Sequence, residues 1–132
     1  MKEKVIRVLK VAPFEEPVVC ELNNNLSSLQ EAVSIDADYV GLIEIISIDS
    51  KVCLLLNEEG KLIGLAPNRR YGDDVLCGVF YVCGQNSRSG NLTSLSDKQI
   101  EEYTAMFKEV ELISREEAWE RTLAGFMSFP ED

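Results

Sequence analysis

The stretch Asn57–Arg70, NEEGKLIGLAPNRR, decides how this chain is folded. Paired acids and a glycine stand between two apolar runs, Lys51–Leu56 and Lys61–Leu65, and Pro67 then leads into paired arginines. Four polar residues ending in glycine have the length and chemistry of a hairpin loop, with Gly60 supplying the left-handed position. The spacing predicts strands at 51–56 and 61–65, joined by Asn57–Gly60. Pro67 predicts that the chain then leaves the sheet, because proline has no N–H for a ladder.

Working outward, Val5–Ala12 reads as a first strand that Pro13 ends, and Val18–Leu22 as a second. An acid-rich turn, PFEEP, joins them. Asn25 is placed to cap a short helix, LSSLQEAV, with Leu26, Leu29 and Val33 at helical spacing. Tyr39–Ile48 is a β-branched, apolar third strand. Val75–Cys83, VLCGVFYVC, is a near-continuous apolar run, the pattern of a strand buried on both faces, with Gly78 marking a bulge.

Two helix starts close the chain. Ser96 with Gln99 forms a capping box, and Leu95 with Ile100 is spaced as a hydrophobic staple. Ile100, Tyr103, Phe107 and Val110 make the apolar side of that helix. Ser114 with Glu117 is a second capping box, followed by Ala118, Trp119, Thr122, Leu123 and Phe126 on one face, a weak point at Gly125 and a stop at Pro130. The expected architecture is α+β: a mostly antiparallel sheet of about five to six strands, one early helix and two C-terminal helices. The expected organisation is a single domain over residues 1–132. Residues 1–112 form a strand-rich core with two helices, and residues 113–132 a C-terminal helical extension.

Composition bounds the function. The 132 residues suit one domain. The 23 acids against 13 bases give a net charge of −10, which disfavours direct nucleic-acid binding, since phosphates require cations. The acids are spread, with clusters at Glu15-Glu16, Glu101-Glu102 and Glu116-Glu117. There is no histidine, which removes the commonest general base and zinc partner. Cys20, Cys53, Cys77 and Cys83 all sit in apolar strand-like runs without C-x-x-C spacing, so neither a metal, a disulfide nor a cofactor is expected. The apolar residues after Met1-Lys2-Glu3-Lys4 are broken by Arg7 and Lys10, so no secretory leader is expected. No window approaches the roughly 20 apolar residues of a membrane span. The expected location is the cytoplasm.

The candidate site is Asn68, Arg69, Arg70, Asp73 and Asp74, five polar residues after Pro67. One reading is a solvated loop with a local Arg–Asp pair. The other is a binding surface facing solvent, because guanidinium groups recognise carboxylate and phosphate through paired hydrogen bonds. Glu58 and Glu59 read as turn residues and not as an acid–base pair. GQNSRSG lacks the spacing of a phosphate loop. Trp119 and Phe126 read as core or as a partner-facing patch.

The runs LLLNEEGKLIGLAPNRR, VLCGVFYVCG and LTSLSDKQIEEYTAMF, with the LSSLQEAV helix, resemble a small-protein family of unknown function from phages, plasmids and conjugative elements of Firmicutes. The similarity spans roughly residues 4 to 110. It departs after Val33, where that family often has a glycine pair and this chain has Ser34-Ile35. The resemblance implies a mobile-element setting and brings no catalytic residues. Two functional expectations stand. The first is a small acidic, non-enzymatic interaction protein whose partner is a protein with a basic nucleic-acid-binding surface, in its narrower form an antirestriction or anti-CRISPR-like inhibitor. The alternative is a small-ligand or nucleotide-binding domain, or a minor enzyme, built on the Asn68–Asp74 loop.

Overall fold

The computed structural model describes residues 2–34, 41–60 and 63–120. Eight strands and two complete helices follow in the order β1 (Val5–Val11), β2 (Val18–Asn23), α1 (Leu26–Ala32), β3 (Ile43–Ser47), β4 (Val52–Asn57), β5 (Pro67–Tyr71), β6 (Asp74–Cys77), β7 (Phe80–Gln85), β8 (Leu92–Thr93) and α2 (Asp97–Phe107). Residues 115–120 are helical and are labelled α3. The main sheet runs β2-β1-β7-β4-β3 with β8 on β7, six strands, and every pair is antiparallel. β5 and β6 form a separate two-stranded sheet. The α+β architecture expected from the sequence is therefore present.

Both faces of the main sheet are covered, and strand alternation sorts the side chains between them. On β1, Ile6 and Val8 join the core beneath α1, while Leu9 and Val11 join the core beneath α2. On β4, Cys53 and Leu55 take the first face, and Val52, Leu54 and Leu56 the second. The central strands β4 and β7 are buried almost throughout, as continuous apolar runs require. Each fully buried Leu, Val or Phe contributes about 1.5–3 kcal/mol.

The helices start where their caps place them. Asn25 Oδ1 accepts from the Ser28 N–H at 2.9 Å. Leu29 and Val33 reach the core, but Leu26, in the first turn, stays exposed. Ser96 and Gln99 form the capping box with both bonds made. Leu95 and Ile100 are buried together, and Tyr103 and Phe107 continue their stripe. The Phe107 ring meets Phe80 edge-on at 5.1 Å. Val110 lies beyond the helix and is exposed. In α3 the Glu117 N–H donates to Ser114 Oγ at 3.0 Å. Ala118 is buried, whereas Trp119 is half-exposed and not core. Thr122, Leu123, Gly125, Phe126 and Pro130 lie outside the described residues, as do Tyr39 and Val40 at the start of the expected third strand.

The hairpin expected at Asn57–Gly60 does not form. Asn57 is buried; its Nδ2 donates to Val33 O at 3.0 Å and its Oδ1 accepts from the Glu59 N–H at 2.8 Å. This side-chain turn bends the chain off the sheet. The Ile63 N–H then donates to Glu59 O and the Leu65 N–H to Gly60 O, so residues 63–65 make turn bonds and are not in a strand. Lys61 and Leu62 lie outside the described residues. Gly60 is not left-handed. It is glycine because an added Cβ would sit 2.9 Å from the Cys77 carbonyl oxygen.

The strand after β4 comes later, and it starts at the proline expected to end pairing. Pro67 is the first residue of β5, where a missing N–H is tolerated. The expected single strand over 75–83 is divided. Gly78, at φ 80°, turns the chain from β6 in the small sheet to β7 in the large one, a corner instead of a bulge.

Candidate functional site

Asn68, Arg69, Arg70, Asp73 and Asp74 all lie on the β5–β6 hairpin, and the structure separates them. The ladder shifts register between Pro67 and Arg69, leaving Asn68 as the bulge residue. A bulge breaks the alternation of a strand and re-aims its side chains. Here it turns two consecutive residues inward: Asn68 is 0% exposed and Arg69 1%.

Asn68 is used by the fold. Its Nδ2 donates to Val11 O and to Gly78 O, both at 2.9 Å. Its Oδ1 accepts from Arg69 Nη1 at 2.7 Å. Arg69 uses all five of its N–H donors. Nε and Nη2 both reach Phe107 O at 3.1 Å, Nη2 reaches Glu15 O at 2.7 Å, and Nη1 reaches Asn68 O at 3.3 Å besides Asn68 Oδ1. Phe107 is the last residue of α2, so the guanidinium sits at the negative end of the helix dipole. Burial lowers the Arg69 pKa, and the nearby Glu111 carboxylate acts to raise it. One side chain thus ties together β5, the turn after β1 and the end of α2. The expectation that Asn68 and Arg69 face solvent is overturned, because each buried polar atom has found a partner within the fold, a backbone carbonyl or, for Asn68 Oδ1, the Arg69 guanidinium. Arg69 has no donor left for a phosphate or a carboxylate.

Arg70 points outward and closes a clamp. Nε and Nη2 grip both oxygens of Glu117 at 2.9 Å, and Nη1 meets Glu111 Oε1 at 2.9 Å. The Arg70 N–H adds a bond to Glu111 Oε2. These bonds to Glu117, then Glu111, raise the Arg70 pKa further. Its acidic partners come from the segment after α2 and from α3, not from the aspartates of its own hairpin. Asp73 and Asp74 are exposed at the hairpin tip, where Asp74 also accepts from the Val75 N–H. Trp119 helps line a shallow groove of about 210 Å³ with Leu65, Pro67 and Cys77, and Arg115 spans its edge to the Gly64 carbonyl.

The four cysteines are free thiols. Burial pushes Cys53 up to about 11 and Cys83 well above its ordinary value, so both are protonated at neutral pH. Cys53 and Cys83 are opposite one another on β4 and β7 and act as small core residues.

Two tyrosines behave similarly. Burial raises Tyr81, whose hydroxyl donates to Ala32 O, and Tyr103, whose hydroxyl meets Asp49, each to about 12. A raised folded pKa contributes stability that is complete below the ordinary value of 10 and is lost as pH rises through 12. Tyr81 alone accounts for about 2–3 kcal/mol of this. Denaturant unfolding followed up this range should show stability falling, and Tyr81→Phe should flatten the fall. A stability independent of pH in that window would contradict the burial of both hydroxyls.

The sequence reading missed Phe14. It has a positive φ of 67° and is 60% exposed. No residue pattern signals this beyond Pro13 before it, which presets the first half of a turn.

Comparison with known proteins places the knot of Asn68 and Arg69 in context. The pattern of a domain of unknown function, DUF3846, matches residues 6–108. The chain belongs to the DUF3846 family. No curated protein and no solved structure matches it. The match begins at the second residue of β1 and ends one residue after α2. It therefore contains Asn68, Arg69 and all their backbone partners, while Glu111 and Glu117, which hold Arg70, lie beyond it. Among the described residues no helix is long and apolar enough to cross a membrane, and no group of acids and cysteines is arranged to hold a metal.

Proposed function

We propose that this DUF3846 protein acts by non-catalytic contact with another protein, one that carries a basic surface. The distribution of charge is the supporting observation. The net charge is −10, from 23 acids against 13 bases. Arg69 is buried, so the surface is more negative than the net charge implies. Arg70 is held by Glu111 and Glu117, and Arg7 by Asp97 at 2.6 Å. An acidic surface steers basic partners and repels nucleic acid. In its narrower form the reading is an inhibitor carried by a mobile element, covering the nucleic-acid groove of a restriction or CRISPR nuclease. The exposed part of the hairpin, Arg70 with Asp73 and Asp74, is one component of the contact surface. Asn68 and Arg69 hold it in place from within.

The test is competition. Host nucleases of these two classes are loaded with labelled DNA and titrated with the protein. Stoichiometric displacement that weakens steeply with added salt is the expected result. No displacement from any of them would reject the inhibitor role. Displacement insensitive to salt would reject the electrostatic basis.

A further inference from the structure

We infer that the corner formed by Phe14 and the outer edge of β2 is a docking site for an extended, basic segment of the partner. This rests on the protein-binding reading above and names where and how that partner is held.

The first observation is strain without a structural return. Ala12, Pro13, Phe14 and Glu15 form a β-turn, closed by the Glu15 N–H on Ala12 O at 3.3 Å. Proline suits the second position of such a turn, and the third wants glycine or asparagine. Phe14 stands there instead, the single described non-glycine residue with positive φ. The residue is 60% exposed, so the strain secures little packing. Arg69 holds the turn from inside through Glu15 O. Backbone outliers kept rigid by their surroundings concentrate at ligand sites, and exposed aromatics are preferred anchors for partners.

The second observation is the edge. β2 is the end of the main sheet, and among the described residues no strand pairs with its outer side. The Asn24 N–H donates to Lys4 O, which extends the β1–β2 register by one pair and fixes its parity. Hydrogen-bonded pairs alternate along an antiparallel ladder. The backbone groups of Val19 and Glu21 therefore point away from β1. Val18 and Val19 are exposed beside them, at 58% and 41%. Outward N–H and C=O groups of a strand are matched by another strand, so the occupant is extended.

The third observation is charge. Glu15, Glu16 and Glu21 are exposed along this corner, against two exposed cations, Lys10 opposite Val18 and Arg7 opposite Glu21. Arg7 is already paired with Asp97, so the carboxylates still outnumber the cations, which selects a segment carrying lysine or arginine between apolar residues.

The probe is a short peptide of alternating lysine and valine, titrated into the full chain and followed by NMR. A backbone N-methylated copy and a glutamate–valine copy serve as controls. The expected result is perturbation of Phe14, Val19 and Glu21, with no binding by either control. Phe14→Gly should weaken binding about tenfold or more, yet raise the thermal midpoint because the turn strain is relieved. Glu15→Lys with Glu16→Lys should weaken binding without lowering the midpoint. Absence of binding overturns the inference, as does binding indifferent to Phe14→Gly or to N-methylation. Binding that maps to another acidic part of the surface rejects this corner and leaves the general reading standing. The inhibitor form of that reading fails separately, if the wild-type protein displaces no nuclease from DNA.

Discussion

Arg69→Ala is expected to remove about 4 kcal/mol of stability, a large share of the 5–15 kcal/mol typical of a domain. Truncation takes away five hydrogen bonds and leaves Phe107 O, Glu15 O and Asn68 Oδ1 without their donor. Each buried, unsatisfied acceptor costs about 1–3 kcal/mol. The loss is offset in part because a charge no longer has to be desolvated. At a few degrees per kcal/mol for a chain of this size, the thermal midpoint should fall by roughly 10 °C or more. Arg69→Lys should recover only part of this, since one ammonium cannot reach acceptors on β5, the turn after β1 and α2 together. Arg70→Ala is the contrast. Its partners are on the surface, and exposed pairs contribute little, so the midpoint should move far less. Denaturant unfolding of the three variants measures all of this. Equal stability of Arg69→Ala and wild type would show that the guanidinium is not part of the internal bonding.

Gly78→Val should cost about 3 kcal/mol, for two reasons that add. The backbone there has φ 80°, a region closed to β-branched residues. An added Cβ would also lie 2.6 Å from Leu65 Cδ1, displacing a side chain packed against Val75, Cys77 and Ala118. Overpacking of that kind costs about 1–3 kcal/mol, and left-handed geometry about 1–2 more. Gly72→Val is a useful comparison, because φ is 60° but nothing stands within 4 Å of the added Cβ. It should carry the backbone part alone. If Gly78→Val and Gly72→Val cost the same, the Leu65 contact is not limiting.

Some elements were legible because their signals are local. The start of α2 is written in four residues, Ser96 to Gln99, and the staple partners Leu95 and Ile100 lie beside them. The core strands β1, β4 and β7 follow from apolar runs that alternate or continue as their burial requires. β5 was illegible for a physical reason. Its buried residues are Pro67, Asn68 and Arg69, which no apolar pattern would select. They are tolerated inside only because Val11, Glu15 and Phe107 supply carbonyls, from positions 57, 54 and 38 residues away in the chain. Pairing at that separation leaves no local trace. The same distance explains Gly60, whose constraint is the Cys77 carbonyl and not its own turn. Of the candidate site, the cluster itself was visible as a polar run after proline. Its division into buried Asn68 and Arg69 and surface Arg70, Asp73 and Asp74 depends on the bulge, which only the tertiary pairing creates.

The measurement that bears most directly on this division is hydrogen exchange at the guanidinium Nε–H groups, read by NMR on uniformly labelled protein. Arg69 Nε–H, bonded to Phe107 O and closed off from solvent, should exchange slowly and only through opening of the fold. Arg70 Nε–H, bonded to Glu117 at the surface, should exchange far faster. Fast exchange of Arg69, indistinguishable from Arg70, would contradict the buried arginine on which the account of the hairpin rests.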